Sequence, residues 1–464
     1  MTMLRLYNTQ IRDKQDFIPL EEGKVRMYVC GPTVYNYFHL GNARPFITYD
    51  TLRRYLEFSG YQVTYVQNFT DIDDKMINRA RAEKISIGEL ADRFIREYFI
   101  DADALNIRRA SIHPRATETV PTIIAIIQTL VDKGFAYEAD DGVYFDVGQM
   151  PDYGKLSHHN LDELASGSRE LSGDEAGKQS PMDFALWKKK KEDEPSWPSP
   201  WGEGRPGWHT ECVVMGQKFL GDNFDIHGGG IDLVFPHHEN ELAQALALTG
   251  KPLANYWMHN GFLNIDGDKM SKSLDNFFTA RDILEKHSAE AIRFFFLSKH
   301  YRSPIDFNPQ IIEESERAVH NFHEALRSIA FGKISAEADG SFAEQEKAFI
   351  EAMDDDLNTA RALAVLFELT RSVKNEQLPR EKREQAALML VKLGRVLGFF
   401  ADLESKLSEQ VPDLSRQLIE LLLDYRKQAR QNKDWALSDR IRDDLAALGV
   451  EIRDTPQGCE WKIK

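Results

Sequence analysis

At 464 residues the chain is too long for one ordinary hydrophobic core, so three or four domains are expected, and its 42% apolar and 28% charged content is that of a folded soluble protein. A net charge of −16 excludes a protein that coats nucleic acid or an anionic membrane non-specifically. Three cysteines make no disulfide framework and no apolar run reaches membrane-spanning length, so a cytoplasmic protein is expected.

Residues 24–30 alternate and are rich in strand formers, which predicts a strand ending at Cys30. After the loop Gly31-Pro32-Thr33, a helical pattern runs from Leu40 to Gly60, and residues 61–66 read as a second strand. Strand, helix and strand of this length predict a βαβ unit with parallel pairing, and such sheets bind ligands at the carboxyl ends of their strands. Cys30 falls at such an end. His39 followed by Gly41 at a helix start can approach a phosphate, with the helix N-terminus adding partial positive charge.

Residues 89–133 have helical periodicity, whereas residues 135–206 are rich in Gly, Pro, Ser and Trp and predict an insertion packed against the sheet. The run Lys188-Lys189-Lys190-Lys191 is followed by Glu192-Asp193-Glu194, a locally neutralised loop. Residues 223–233 return to the sheet, where Gly228-Gly229-Gly230 would let a flat ring or a sugar lie against bare backbone and Asp232 could accept from a hydroxyl.

Pro236 suits the first position of a helix and Gly250 its end, which makes His237 and Glu241 neighbours four residues apart on one face. An imidazole and a carboxylate so placed can converge on one ion, and with the thiols of Cys30 and Cys212 they make a donor set suited to zinc. The bland reading of the same residues is two buried thiols and a surface helix pair. Downstream, residues 257–265 lead through a turn to Lys269-Met270-Ser271-Lys272-Ser273, whose two lysines suit a triphosphate that leaves as pyrophosphate. Residues 309–400 predict a helical bundle, in which Asp354-Asp355-Asp356 reads as a helix start and solvated face. Residues 411–464, with ten Lys plus Arg and ten Asp plus Glu, are neutral, so the surplus acid lies upstream of this tail.

His39-Leu40-Gly41-Asn42 and Lys269-Met270-Ser271-Lys272-Ser273, in this order and on these elements, resemble the two signatures of class I aminoacyl-tRNA synthetases. With Cys30, Cys212, His237 and Glu241, the resemblance narrows to the cysteinyl-tRNA synthetase family. It runs along essentially the whole chain, through the blocks at residues 70–75, 207–209, 235–241 and 353–359.

The resemblance implies an α/β fold. A Rossmann-type doubly wound parallel-sheet catalytic domain (1–134 and 207–305) carries a connective insertion (135–206). A helical bundle contacting the tRNA stem (306–400), a linker (401–413) and a small α+β anticodon-binding domain (414–464) follow. It implies activation of L-cysteine with ATP to cysteinyl adenylate and pyrophosphate, then transfer to the 3′ end of tRNA(Cys). One Zn²⁺ would sit on Cys30, Cys212, His237 and Glu241, and Mg²⁺ would accompany ATP. His39, Asn42, Lys269 and Lys272 would be catalytic; Gly41, Gly229, Asp232 and Ser271 would join them around ATP. Gly31, Thr70 and Trp208 would line the cysteine pocket, and Arg430, Trp435, Asp439 and Asp454 would meet the anticodon. The family's first signature usually ends in histidine; Asn42 can still donate to a phosphate but cannot carry charge.

The implied metal answers a selectivity problem. Serine differs from cysteine by oxygen for sulfur, and a pocket that works by shape rejects such near-isosteres only about a hundredfold. Zinc prefers thiolate, so it can select where size cannot, and no editing domain is needed. Four protein ligands normally mark a closed site, so the substrate thiolate is expected to enter as an additional ligand, with the Glu241 bond loosening. A monomer is expected from the family. Two other readings are a cysteine ligase acting on an amino sugar, which would lack the C-terminal tail, and a zinc-stabilised RNA-binding scaffold, which would leave His39 and Lys269 to Lys272 unexplained.

Overall fold

Residues 25–29, 63–67, 224–229 and 254–258 are almost continuously buried, the pattern of strands covered by helices on both faces. The computed structural model describes residues 3–159, 177–265, 268–269, 278–334, 339–403, 413–455 and 458–463. The chain divides into two compact units, residues 1–401 and 402–464.

The first unit begins with an antiparallel hairpin, β1 (Arg5–Asn8) and β2 (Asp13–Asp16). Strand β3 (Lys24–Val29), helix α1 (Leu40–Phe58) and strand β4 (Gln62–Gln67) form the expected βαβ unit, parallel from Lys24↔Gln62 to Val29↔Gln67. Helices α2 (Asp74–Glu83), α3 (Ile87–Ala104) and α4 (Val120–Asp132) follow. The helical reading of residues 89–133 is therefore corrected at its middle. Asn106 at φ 53° ends the helical run, and the chain then lies along β4 through the bridges Val66↔Ile112 and Phe69↔Arg115.

The insertion is an antiparallel sheet of β5 (Ala136–Ala139), β6 (Gly142–Phe145), β7 (Phe184–Lys189) and β8 (Gly204–Pro206), paired in that order. Trp187, Phe145 and Phe184 pack with Ile123, Ile127 and Leu130 of α4. Burying each such large side chain contributes about 1.5–3 kcal/mol, enough to hold this small sheet on its helix.

Helix α5 (Trp208–Leu220), strand β9 (Phe224–Gly230), helix α6 (Glu239–Thr249) and strand β10 (Ala254–Asn260) complete the main sheet. Its order is β10-β9-β3-β4, all parallel. From β3 the chain crosses to β4 on one side, while β9 and β10 lie on the other, so the crevice beyond the carboxyl ends of β3 and β9 is the switch point where such sheets bind ligands. Strands β11 (Leu263–Ile265) and β12 (Asp268–Lys269) then form an antiparallel pair, and after α7 (Ala280–Leu284) and α8 (Ala289–Leu297), β13 (Ile305–Phe307) lies parallel to β11.

Helices α9 (Pro309–Ser328), α10 (Ala343–Asp354), α11 (Thr359–Lys374) and α12 (Arg380–Val396) make the expected bundle, with Val319, Phe322, Leu326 and Ile329 buried on one stripe. The reading of Asp354-Asp355-Asp356 as a solvated face is wrong. Asp354 accepts from Tyr55 Oη at 2.5 Å and Asp355 pairs with Lys14 Nζ at 2.6 Å, while Asp356 is completely buried against Tyr301 and Arg302. These partners lie 50 to 350 residues away in sequence, where local pattern cannot reveal them.

The second unit contains helices α13 (Asp413–Gln431) and α14 (Trp435–Ala447) and the hairpin β14 (Val450–Thr455) with β15 (Gly458–Ile463), closed over Ile419, Leu445 and Val450. Most of the segment read as a linker, residues 404–412, lies outside the described residues. Among the described residues no helix is long and apolar enough to cross a membrane.

Candidate metal and nucleotide site

Strand β3 delivers Cys30 to the switch point, where its amide donates to the Gly228 carbonyl at 3.1 Å. Helix α5 carries Trp208 and Cys212 four residues apart, so both face the same crevice. Phe235 is extended at φ −137° and ψ 133°, and helical backbone starts at Pro236 as expected, although residues 236–238 are wound as a π turn before the regular helix α6 begins at Glu239. His237 nevertheless reaches Glu241, with Nε2 3.0 Å from Oε1, and Gly250 ends the helix at φ 72° as expected.

Cys30, Cys212, His237 and Glu241 come together with their ligand atoms within 4.8 Å of one another. The Cys30 and Cys212 sulfurs are 3.9 Å apart, and Cys30 Sγ lies 3.9 Å from Glu241 Oε1. A second set, Cys30, His227, His238 and Glu241, meets the same criterion and shares two of the four residues. The first holds both thiols and suits a soft-to-borderline ion; in the second, a thiol is replaced by an imidazole.

Sequence reasoning missed the histidines around this cluster. His227 Nε2 sits 2.7 Å from Glu241 Oε2, fixing the carboxylate, and His209 Nδ1 lies 2.9 Å from His237 Nδ1, which leaves His237 Nε2 facing the cluster. A line of contacts runs from Thr9 Oγ1 to His259 Nδ1 (2.7 Å), from His259 Nε2 to His238 Nδ1 (2.8 Å), and from His238 Nε2 to Cys30 Sγ (3.3 Å). His259 faces this line only because β10 pairs with β9 in the register Trp257↔His227 and His259↔Gly229. Nothing local in the sequence signals that register.

Charge is divided within the cluster. Burial, and then the hydrogen bond and charge of Cys212, push the Cys30 thiol well up, whereas the hydrogen bond from Cys30 outweighs burial to bring Cys212 down to about 6. Burial opposes the charged ring of His237, but the Glu241 carboxylate and the Cys212 sulfur prevail and raise it to about 10. Burial likewise opposes the Glu241 carboxylate, yet His227 and His237 hold it down at about 2. Burial, with the neighbouring rings, keeps His238 and His209 neutral. A metal-ready thiolate and carboxylate are thus already present, with both other donors protonated.

Above the cluster opens a cleft of about 340 Å³ lined by Cys30, Gly31, His39, Gly41, Asn42, Trp208, Gly230 and Asp232. His39 caps α1: its Nδ1 accepts from the Asn42 amide at 3.1 Å, so the neutral ring carries its proton on Nε2. Trp208, 42% exposed, stacks on His237 with ring centroids 4.1 Å apart and planes at 18°. Gly31 permits a close crossing, since a Cβ there would stand 1.7 Å from the Asn68 carbonyl oxygen.

Not every expected residue lines this cleft. Gly228 and Gly229 make room for the protein's own rings, because Cβ atoms there would lie 2.4 Å from Tyr49 and 2.9 Å from His238; of the three glycines only Gly230 borders the cleft. Thr70 is buried beside it, its backbone bonded to Pro32 and Val34, where it shapes the loop after Cys30. Lys269 is placed by its backbone, which pairs with Asn264. Ser271 and Lys272 lie outside the described residues. In the second unit Arg430 and Trp435 line a groove of about 870 Å³ with Arg426, Lys427 and Trp461, and Trp435 is 57% exposed. Asp439 is exposed one turn along α14 from Trp435, and Asp454 is placed by its backbone in β14.

The sequence is similar to three family descriptions in succession: the tRNA synthetases class I (C) catalytic domain over residues 16–317, the DALR domain over 348–401, and the cysteinyl-tRNA ligase anticodon binding domain over 411–461. It is 51% identical to the cysteine–tRNA ligase of Symbiobacterium thermophilum, covering 99% of both chains, and 50% identical to that of Geobacillus thermodenitrificans, covering 100% of this chain and 99% of the relative. Among solved structures, Mycobacterium tuberculosis methionyl-tRNA synthetase in complex with methionyl-adenylate aligns at TM-score 0.59 and 15% identity, covering 86% of this chain and 94% of that one. The ternary LeuRS-tRNA-LeuAMS complex of Agrobacterium radiobacter K84 aligns at TM-score 0.60 and 13% identity, covering 86% and 87%. At such identities these likenesses concern the fold, which is the α/β class I catalytic fold with a parallel sheet.

Proposed function

This chain belongs to the cysteine–tRNA ligase family, and from that premise we propose how its own residues carry the family's ATP-dependent joining of cysteine to tRNA. The observation that carries the proposal is that Cys30, which meets Cys212, His237 and Glu241 in one buried cluster, also lines the crevice bordered by His39, Asn42, Trp208 and Asp232.

The donor set fits zinc: two thiols, an imidazole oriented by His209, and a carboxylate whose second oxygen is held by His227. Bound there, zinc supplies a thiophilic centre that favours the cysteine side chain over that of serine. Trp208 and the bare backbone at Gly31 bound the space for the amino acid. In the first step a cysteine carboxylate oxygen attacks the α-phosphorus of ATP and pyrophosphate leaves. His39 Nε2–H and the N-terminus of α1 stabilise charge growing on the α-phosphate, with the Asn42 side chain as a further donor. Lys269, with Ser271 and Lys272, neutralises the departing pyrophosphate, and Mg²⁺ accompanies the nucleotide. In the second step a hydroxyl at the 3′ end of tRNA(Cys) attacks the carbonyl carbon and AMP leaves.

The alternative of an amino-sugar ligase is not favoured, because residues 411–461 match an anticodon-binding domain. There Arg430 and Trp435, with Asp439 and Asp454, provide the stacking face, guanidinium and carboxylates that read splayed bases. The proposal divides the chain as catalytic domain 1–134 and 207–305, insertion 135–206, stem-contacting bundle 306–400, linker 401–413 and anticodon domain 414–464. A monomeric cytoplasmic enzyme is part of it.

The test is amino-acid-dependent exchange of pyrophosphate into ATP, with cysteine and serine, on zinc-replete and chelated protein. Exchange with cysteine alone, lost on chelation, is expected; equal exchange with serine would remove the selective role of the metal. Trp435→Ala is expected to leave this exchange unchanged while lowering kcat/KM for tRNA about ten- to a hundredfold, the worth of one stacked base. Unaltered aminoacylation would take Trp435 out of the tRNA surface.

A further inference from the structure

Residues 300–303 are gripped from two sides. From the bundle, the fully buried Asp356 accepts from Tyr301 Oη, Arg302 Nε and the Tyr7 amide, each at 2.8 Å. From the signature helix, the buried Arg44 donates to the carbonyls of His300, at 3.4 Å, and Ser303. The same guanidinium holds the Gly261 and Phe262 carbonyls, at 2.7 and 2.6 Å. Gly261 leaves no slack, since a Cβ on it would stand 2.6 Å from the Arg302 carbonyl oxygen.

The gripped segment leads directly into β13. That strand sets the place of β11 through Leu263↔Ile305 and Ile265↔Phe307, and β11 sets that of β12 through Asn264↔Lys269. Asp356 itself sits in left-handed backbone at φ 59°, followed by Leu357 at φ 53°. Consecutive left-handed non-glycine residues are strained, and a buried carboxylate is costly to desolvate. Both costs are met here at a point where the bundle holds residues 301 and 302 through a carboxylate that bonds them both.

We propose that Asp356 is a positioning residue for adenylate formation: by fixing Tyr301 and Arg302 it sets β13, and through β13 and β11 it sets the strand that presents Lys269 to the outer phosphates of ATP. The inference rests on the reading of Lys269 as a phosphate-binding residue.

The experiment compares wild type, Asp356→Asn, Tyr301→Phe and Arg302→Lys as full-length zinc-loaded protein, by cysteine-dependent pyrophosphate exchange normalised to titrated active sites. Asp356→Asn is expected to raise KM for ATP or slow adenylation per site about tenfold, with KM for cysteine and zinc content changed less than about twofold. On a Lys269→Ala background the same substitution is expected to add little, because both act through one contact with ATP. Additive losses, an unchanged ATP response, or equal weakening toward both substrates would overturn the proposal. If Asp356→Asn does not fold, Tyr301→Phe and Arg302→Lys must show the ATP-specific loss, and its absence in both overturns it equally. A wild-type protein without exchange would instead defeat the function reading on which the inference stands.

Discussion

Cys212→Ser is expected to abolish zinc retention and to cut cysteine-dependent exchange by at least about a thousandfold, near 4 kcal/mol of transition-state stabilisation. Cys212 is 1% exposed, and the hydrogen bond from Cys30 brings its thiol to about 6 against the opposing effect of burial. It is the sulfur that enters the site already anionic at neutral pH. A serine hydroxyl in the same place ionises far above that range, so it offers zinc a neutral oxygen and leaves Cys30 without the partner 3.9 Å away. Elemental analysis together with exchange assays using cysteine and serine decides the matter. Stoichiometric zinc with undiminished discrimination in Cys212→Ser would remove Cys30, Cys212, His237 and Glu241 as the ligand set and favour the set built on His227 and His238.

Zinc binding is expected to strengthen about a hundredfold per pH unit near neutrality. The sign follows from where the protons sit. Without metal, Cys30 is held protonated chiefly by burial, and His237 keeps its proton to about 10 because Glu241 and Cys212 outweigh burial. Both donors must lose their protons to ligate, so the bound state holds two fewer and affinity rises with pH. Cys212 and Glu241, at about 6 and about 2, are already ionised at neutral pH; below pH 6 the Cys212 thiol adds a third proton and the dependence steepens. Competition with a chromophoric chelator at several pH values measures the slope, and calorimetry in buffers of different ionisation enthalpy counts the protons. A slope near zero would mean that the donors are deprotonated before metal arrives.

Much of the fold was legible because its signals are local. The βαβ unit, the helical bundle of residues 309–400 and the C-terminal hairpin follow from periodicity and turn residues. The metal set was legible in part for the same reason, since four-residue spacing brings His237 to Glu241. Cys30 and Cys212 joined them on donor chemistry alone, with two buried thiols as the competing reading, and the family resemblance decided between the two. What stayed hidden depends on register or on distant partners. His227 and His259 face the cluster through the pairing of β9 with β10, and Asp356 meets Tyr7 and Tyr301 across 349 and 55 residues. The packing of Tyr49 and His238 against Gly228 and Gly229 was also hidden, because those rings come from helix α1 and the stretch just before α6.

Arg44 has a bearing on how nucleotide arrives. Among the described residues no carboxylate lies within ion-pair reach of it, and although burial lowers its pKa to about 10 it stays charged, one turn into the helix whose first residues face the cleft. An incoming polyphosphate thus meets two fields of opposite sign and different reach. The −16 of the whole chain repels it from the surrounding solution, where mobile ions cut the field off over a Debye length of about 8 Å. The Arg44 guanidinium adds an attraction through protein that mobile ions do not enter, beside that of Lys75 in the cleft lining. Moderate salt therefore strips away the distant repulsion while leaving the share of the attraction that comes from the buried Arg44.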